Sequence, residues 1–185
     1  MRRFALSAVG RDRPGIVAAL SADLLAHDLN LEDSQMSILH GHFTVVLIVA
    51  GAEETDLESL RADLEGTAAR LSLDALSLNE LAPEGLGGQS AEARAEPGWI
   101  VTVYGADHPG IVHAVASALA DSNVNITDLQ TRLASGPEGG ELYAMMLEVA
   151  LPEGFSESDL EGLFEGVRRE QGVQATVRAL EQDVL

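Results

Sequence analysis

The residues of this chain that are best suited to chemistry lie in a short turn that occurs twice. The first copy reads Gly-Arg-Asp-Arg-Pro-Gly-Ile-Val at residues 10–17, and the second reads Gly-Ala-Asp-His-Pro-Gly-Ile-Val at residues 105–112. Pro-Gly followed by an apolar run is typical of a helix start, where unpaired backbone N–H groups and a partial positive charge suit a carboxylate. The aspartate, at position 12 or 107, could receive the ammonium group of an amino acid. The turn therefore predicts a site for a zwitterion.

An asparagine follows each turn at the start of a predicted strand, at Asn30 and Asn125. We expect that strand to lie beside the turn, where a side-chain amide can both donate and accept hydrogen bonds. A purely structural interpretation stays open at this point. Asp12 and Asp107 could cap the helix or form an Asx-turn, and the two asparagines could occupy a left-handed position after the helix.

The elements that must position these residues have the same order in both copies. In the first copy the pattern predicts a strand around Phe4, a helix after the turn, strands at 30–38 and 42–50, a second helix, and a strand at 73–78. This βαββαβ order predicts a four-stranded antiparallel sheet with both helices on one face. Apolar residues on both sides of several strands predict that the other face is covered, most naturally by a second module.

Helical periodicity assigns an apolar face to each helix. The first helix of each copy is predicted to contain the proline of the turn, Pro14 or Pro109, in its first turn. The predicted apolar faces of these two helices are Ile16, Val17, Leu20 and Leu24 in the first copy, and Ile111, Val112, Val115 and Leu119 in the second. The corresponding faces of the second helices are Leu57, Leu60, Leu64, Ala68 and Leu71, and Leu160, Leu163 and Val167.

Two domains are predicted, at 1–82 and 98–185, with a linker rich in glycine, proline and acidic residues at 83–97. The second copy also has an insertion at 135–140. The composition then excludes several classes of partner. Thirty acidic residues against eleven basic ones give a net charge of −19, which argues against direct binding to nucleic acid or to an anionic membrane. We expect a soluble, cytoplasmic protein.

Catalytic and metal chemistry have little support in the sequence. The chain has no cysteine, and no nucleophile–base motif is visible. His40-Gly41-His42 lies in a predicted turn without a third ligand nearby in sequence, so no metal site is expected.

The turn, the helix after it and the asparagine that opens the next strand resemble the ACT domain, an amino-acid-binding regulatory module, in both halves of the chain. A stand-alone pair of such domains is similar to the glycine cleavage system transcriptional repressor family, and the first copy also resembles the amino-terminal domain of formyltetrahydrofolate deformylases. The resemblance implies an α+β fold of two ferredoxin-like domains. By position, it implies that the ligand contacts Gly10, Asp12, Pro14, Gly15, Ile16, Val17 and Asn30 in the first copy, and Gly105, Asp107, Pro109, Gly110, Ile111, Val112 and Asn125 in the second. His108, beside the second turn, is expected to add a polar contact.

The leading hypothesis is a non-catalytic regulatory protein, without a cofactor, that senses an amino acid. An aspartate in each turn would repel a second carboxylate, so a small neutral amino acid such as glycine or serine is favoured. A homodimer and a protein partner are expected. The alternatives are a purely structural assembly module without a ligand and a regulatory fragment related to the deformylases.

Overall fold

The computed structural model describes residues 1–82, 98–135 and 141–180; at residues 135 and 141 it describes the backbone alone. The chain divides into two compact units, Met1–Ser90 and Ala91–Leu185. Their described parts are called module 1, residues 1–82, and module 2, residues 98–180. The predicted linker at 83–97 and the predicted insertion after residue 135 lie outside the described residues.

Both modules have the predicted βαββαβ order, and the predicted fold class is confirmed. Each contains one four-stranded antiparallel sheet, with strand order β2-β3-β1-β4 in module 1 and β6-β7-β5-β8 in module 2. The elements of module 1 are β1 (Arg2–Arg11), α1 (Ile16–Ala26), β2 (Asn30–Leu39), β3 (His42–Gly51), α2 (Leu57–Leu71) and β4 (Leu73–Leu81). Those of module 2 are β5 (Trp99–Ala106), α3 (Ile111–Asp121), β6 (Asn125–Ser135), β7 (Glu141–Ala150), α4 (Glu157–Gln171) and β8 (Gln174–Ala179).

The core of each module lies between the sheet and its two helices. Alternate residues of β1 are buried, which is the period-two pattern of a strand with one face on a core. Module 1 buries an almost entirely aliphatic set together with Phe4 and Phe43, and module 2 buries a similar set together with Phe164. Each copy of the repeated turn is therefore held by the core of its own module.

Two details of the helices differ from the prediction. Pro14 and Pro109 lie in the turn that precedes the helix, because a left-handed glycine separates each proline from the first helical residue. Val17 and Val112 were expected on the buried face but are 43% and 40% exposed. The buried stripe of α1 is Ile16, Leu20 and Leu24; residue 17 lies about 100° around the helix from residue 16, at the edge of that stripe.

In α4 the prediction missed Phe164, which is fully buried, whereas Leu163 only packs against the edge of the core. In module 1, every residue of β2 is exposed, including the apolar Met36 and Ile38. None of the helices in the described ranges is long and apolar enough to cross a membrane.

Candidate functional site

Within each module one helix begins with a side-chain cap and the other does not. The side chain of Asp56 accepts hydrogen bonds from the backbone N–H groups of two residues at the start of α2, and Ser156 forms a reciprocal capping box with Asp159 at the start of α4. The helices that follow the repeated turn, α1 and α3, have no side-chain cap and no acidic residue in the first turn. Their first N–H groups therefore remain available to an external acceptor.

The residue before each of these open helices is a left-handed glycine. Gly15 has φ 96° and Gly110 has φ 107°, values that a residue with a Cβ adopts only with strain. Apart from the adjoining residues, no atom of the described residues lies within 4 Å of the position where a Cβ of Gly15 would stand, and at Gly110 only the Gln171 side chain does. The space beside both helix starts is therefore open.

In module 2 this space is a cavity of about 590 Å³. Three side chains that line it, His113, Ala116 and Tyr143, were not predicted as site residues. Two residues that were predicted, Gly105 and Asn125, are not among those that line it. The predicted residues that do line the cavity are Asp107, His108, Pro109, Gly110, Ile111 and Val112.

The structure contradicts two roles considered for these residues, namely helix capping by the aspartates and a left-handed position for the asparagines. Neither α1 nor α3 receives a side-chain cap, so Asp12 and Asp107 do not cap these helices. The left-handed positions after the helices belong to Asp28 and Asn123, with φ 56° and 53°, and not to the predicted asparagines. Asn30 and Asn125 are instead ordinary strand residues, exposed, each one step before a β-bulge.

The first glycine of each turn has a packing role. A Cβ on Gly10 would stand 2.9 Å from a methyl carbon of Leu73 and 3.1 Å from its Cα, and a Cβ on Gly105 would stand 3.0 Å from Val173. Such distances are too short for undisturbed packing. These glycines let the central strand approach the start of the last strand closely, which is sufficient reason for their presence.

The residue between the aspartate and the proline connects the turn to the end of the second helix. In module 1, Arg13 Nη2 donates to the backbone oxygen of Arg70 at 3.3 Å. In module 2, His108 Nε2 lies 2.9 Å from the backbone oxygen of Gln171, and His108 Nδ1 lies 3.2 Å from that of Pro109. A cationic side chain suits a helix C-terminus, where carbonyl groups are unpaired.

His108 makes both contacts as a donor only when both ring nitrogens carry hydrogen, because carbonyl oxygens can only accept. The hydrogen bonds to Gln171 and Pro109, with the negative charge of Asp107, accordingly raise the pKa of His108 above its usual value. Since both ring nitrogens already have partners, His108 holds the turn in place more than it offers a free group to a ligand.

His113 could have been found from the motif itself, whereas Tyr143 could have been found only from the pairing of β5 with β7. His113 is the third residue of α3, so it follows the motif directly. Tyr143 is distant in sequence, but it pairs with Gly105 across β5 and β7, which brings it to the turn. No cluster of potential metal ligands occurs in the described ranges.

Models of one family match both halves of the chain. A model described as an ACT domain matches residues 2–76, and a second ACT-domain model matches residues 99–150. The chain is a tandem ACT-domain protein. The predicted family is therefore confirmed for both copies of the repeat.

Relatives of this ACT-domain protein include short chains that correspond to one of its halves. A UPF0237 protein of Methanopyrus kandleri is 33% identical over 81 residues, which are 43% of this chain and 90% of the relative. A UPF0237 protein of Streptococcus mutans is 35% identical over 60 residues, which are 32% of this chain and 68% of the relative.

Two solved structures match the tandem ACT protein over nearly its whole length. An unknown protein from Galdieria sulphuraria has a TM-score of 0.79 and 27% identity, with 97% of this chain and 98% of that chain covered. A protein proposed to be a glycine cleavage system transcriptional repressor has a TM-score of 0.71 and 16% identity, with 97% of each chain covered. At 16% identity, the second likeness shows the fold alone.

Proposed function

We propose that this tandem ACT protein is a non-catalytic regulatory protein that senses a neutral amino acid. The observation that carries the proposal is the uncapped start of α3, which opens on a cavity lined by six of the residues that the repeated turn predicted. Backbone N–H groups at residues 111–113 would receive the ligand carboxylate, as helix starts do for anions in general.

Asp107 would receive the ligand ammonium. The Asp107 side chain lines the cavity and is exposed, and it makes no hydrogen bond with the described part of the chain. The equivalent site in module 1 would use residues 16–18 and Asp12. The aspartate disfavours a ligand with a second carboxylate, because two like charges would then share the site.

A change in ligand occupancy would be transmitted to a protein partner. The net charge of −19 opposes direct contact with DNA, so a role in transcription, as the name of one structural neighbour suggests, would need another protein. A homodimer formed through ACT–ACT packing and a cytoplasmic location belong to the same proposal. Ligand occupancy would change the population of a packing arrangement only if the ligand prefers that arrangement.

The test is calorimetric titration of the full chain with a panel of amino acids. We expect at least one neutral amino acid to bind. The Asp107→Asn variant should bind it roughly tenfold to a hundredfold more weakly, since hydrogen bonds to a charged group contribute about 1.5–3 kcal/mol.

Asp56→Asn is a matched control for that substitution. It makes the same chemical change at a helix start that is already capped, and asparagine caps about as well as aspartate. Its affinity should be unchanged. Absence of binding by every amino acid would contradict the sensor proposal and favour the structural assembly module.

A further inference from the structure

The cavity of module 2 is larger than a glycine or serine ligand requires. Its volume of about 590 Å³ lies within the range of about 300–1,000 Å³ that is usual for small-molecule pockets. Glycine has five non-hydrogen atoms and would leave most of this volume to solvent. If the proposed function holds, the size of the cavity therefore favours a ligand with a longer side chain.

Two side chains give the cavity wall of module 2 a polar character that module 1 lacks. By the internal repeat, Tyr143 corresponds to Phe43, and each pairs with the first glycine of its turn. Phe43 is only 2% exposed and belongs to the core of module 1, whereas Tyr143 is partly exposed and lines the cavity. His113 likewise lines the cavity and corresponds to Ala18.

Both side chains have hydrogen-bonding capacity left over. The hydroxyl group of Tyr143 makes no hydrogen bond with the described residues. His113 Nδ1 lies 3.4 Å from the Ser117 hydroxyl, which is a long contact. The Nε2 atom of His113 has no hydrogen-bond partner among the residues that the structure describes. A phenol hydroxyl both donates and accepts, and a neutral imidazole has one nitrogen of each kind.

The charges around the cavity do not favour an acidic side chain on the ligand. Asp107 contributes a negative charge, and the positive charge that His108 carries when protonated is directed at the carbonyl groups of Pro109 and Gln171. A neutral side chain that can both donate and accept hydrogen bonds matches Tyr143 and His113, and a carboxamide is such a group.

We propose that Tyr143 and His113 are specificity-determining residues that select, in module 2, a neutral amino acid with a carboxamide side chain. This inference rests on the proposed function, since it assigns the ligand class of the same site. Module 1, with Phe43 and Ala18 at these positions, would lack the preference.

The experiment compares glutamine with methionine, which has a side chain of the same length without the amide. The full chain and the double variant Tyr143→Phe, His113→Ala are titrated with each, and the variant carries the residues that module 1 already has. We expect the full chain to bind glutamine roughly threefold to tenfold more tightly than methionine for each hydrogen bond made. In the variant this preference should disappear while methionine affinity stays within about twofold.

Unchanged circular dichroism and an unchanged unfolding midpoint would establish that the variant is folded; Tyr143→Phe alone serves if the double variant is not. Equal binding of glutamine and methionine to the full chain, tighter binding of glycine, serine or glutamate, or a preference that survives in the folded variant would each overturn the ligand class. In all of those results an amino acid still binds. A chain that binds none contradicts the proposed function itself.

Discussion

The two modules share one fold but join their helices in different ways. Between α1 and α2, His27 Nε2 lies 2.8 Å from a carboxylate oxygen of Asp63. Within α2, the buried Thr67 accepts a hydrogen bond from Arg70. Asp23, one turn before His27 on α1, has a buried oxygen without a partner among the described residues. By the internal repeat, the corresponding residues of module 2 are Ala118, Ser122, Leu163, Val167 and Glu170. Three of these five residues are apolar, so module 2 lacks the polar contact that His27 and Asp63 make between the helices of module 1.

This difference makes the similarity of the turns more informative. Side chains at a contact between two helices can be exchanged if the volume stays filled and buried polar groups keep their hydrogen bonds. The two modules of this chain have different residues at these positions. The aspartate and the left-handed glycine are the same in both turns, although the aspartate caps nothing and the glycine faces open space. The left-handed backbone accounts for the glycine, but neither capping nor packing accounts for the aspartate in both copies, whereas a ligand would.

The largest effect that we expect comes from exchanging the buried helix residues Thr67 and Val167 between modules. Val167→Thr replaces a methyl group of the core of module 2 with a hydroxyl, and the burial of that polar group should cost about 1–3 kcal/mol. Thr67→Val should cost under about 0.5 kcal/mol, since Arg70 can turn to solvent. Urea unfolding followed by fluorescence of Trp99, the single tryptophan of the chain and a residue of module 2, measures the first change, and circular dichroism measures the second. Equal costs would contradict the contrast between the two contacts.

The helix starts provide a second comparison, with a smaller effect. Ser156→Ala removes the capping hydrogen bond of α4 and should cost about 1 kcal/mol. Asp107→Ala, at the open start of α3 in the same module, should leave the unfolding midpoint nearly unchanged. Both are measured through Trp99. A loss on Asp107→Ala as large as that on Ser156→Ala would mean that the aspartate supports the helix after all.

The smallest effect concerns pH and the residue that holds each turn. The folded state raises the pKa of His108, so protonation of His108 adds stability that is fully present below its ordinary pKa of about 6.5. That stability is lost as the pH rises through the higher folded-state pKa. The variant His108→Arg places in module 2 the arginine that module 1 has at this position, and an arginine stays charged at all these pH values. Between about pH 6 and about pH 9, Trp99-monitored stability should fall more in the natural chain than in this variant; parallel curves would contradict the assigned role.

The sequence was sufficient for the fold but not for the whole site. Self-similarity and periodicity predicted the order of elements and most strand bounds to within a residue or two. Val17 was misassigned because periodicity cannot say where a buried stripe ends. The sequence left open whether Asn30 and Asn125 take the left-handed position after each helix; Asp28 and Asn123 take it instead, since both types of side chain tolerate that conformation.

Tyr143 shows where prediction from the sequence ended. It becomes a site residue through its register opposite Gly105, and register follows from tertiary pairing rather than from local pattern. His108 was predicted as a ligand contact, yet its contact with Gln171 depends on where α4 ends. Both features require the packed module.

The measurement that tests the central claim most directly is the shift of backbone amide resonances in the full chain on titration with a neutral amino acid. If the open start of α3 holds the ligand carboxylate, the N–H signals of residues 111–113 should move to saturation. Those at the capped start of α4, residues 157–159, should stay in place. Saturable binding that leaves residues 111–113 and 16–18 unmoved, or no shift with any neutral amino acid, would contradict the account.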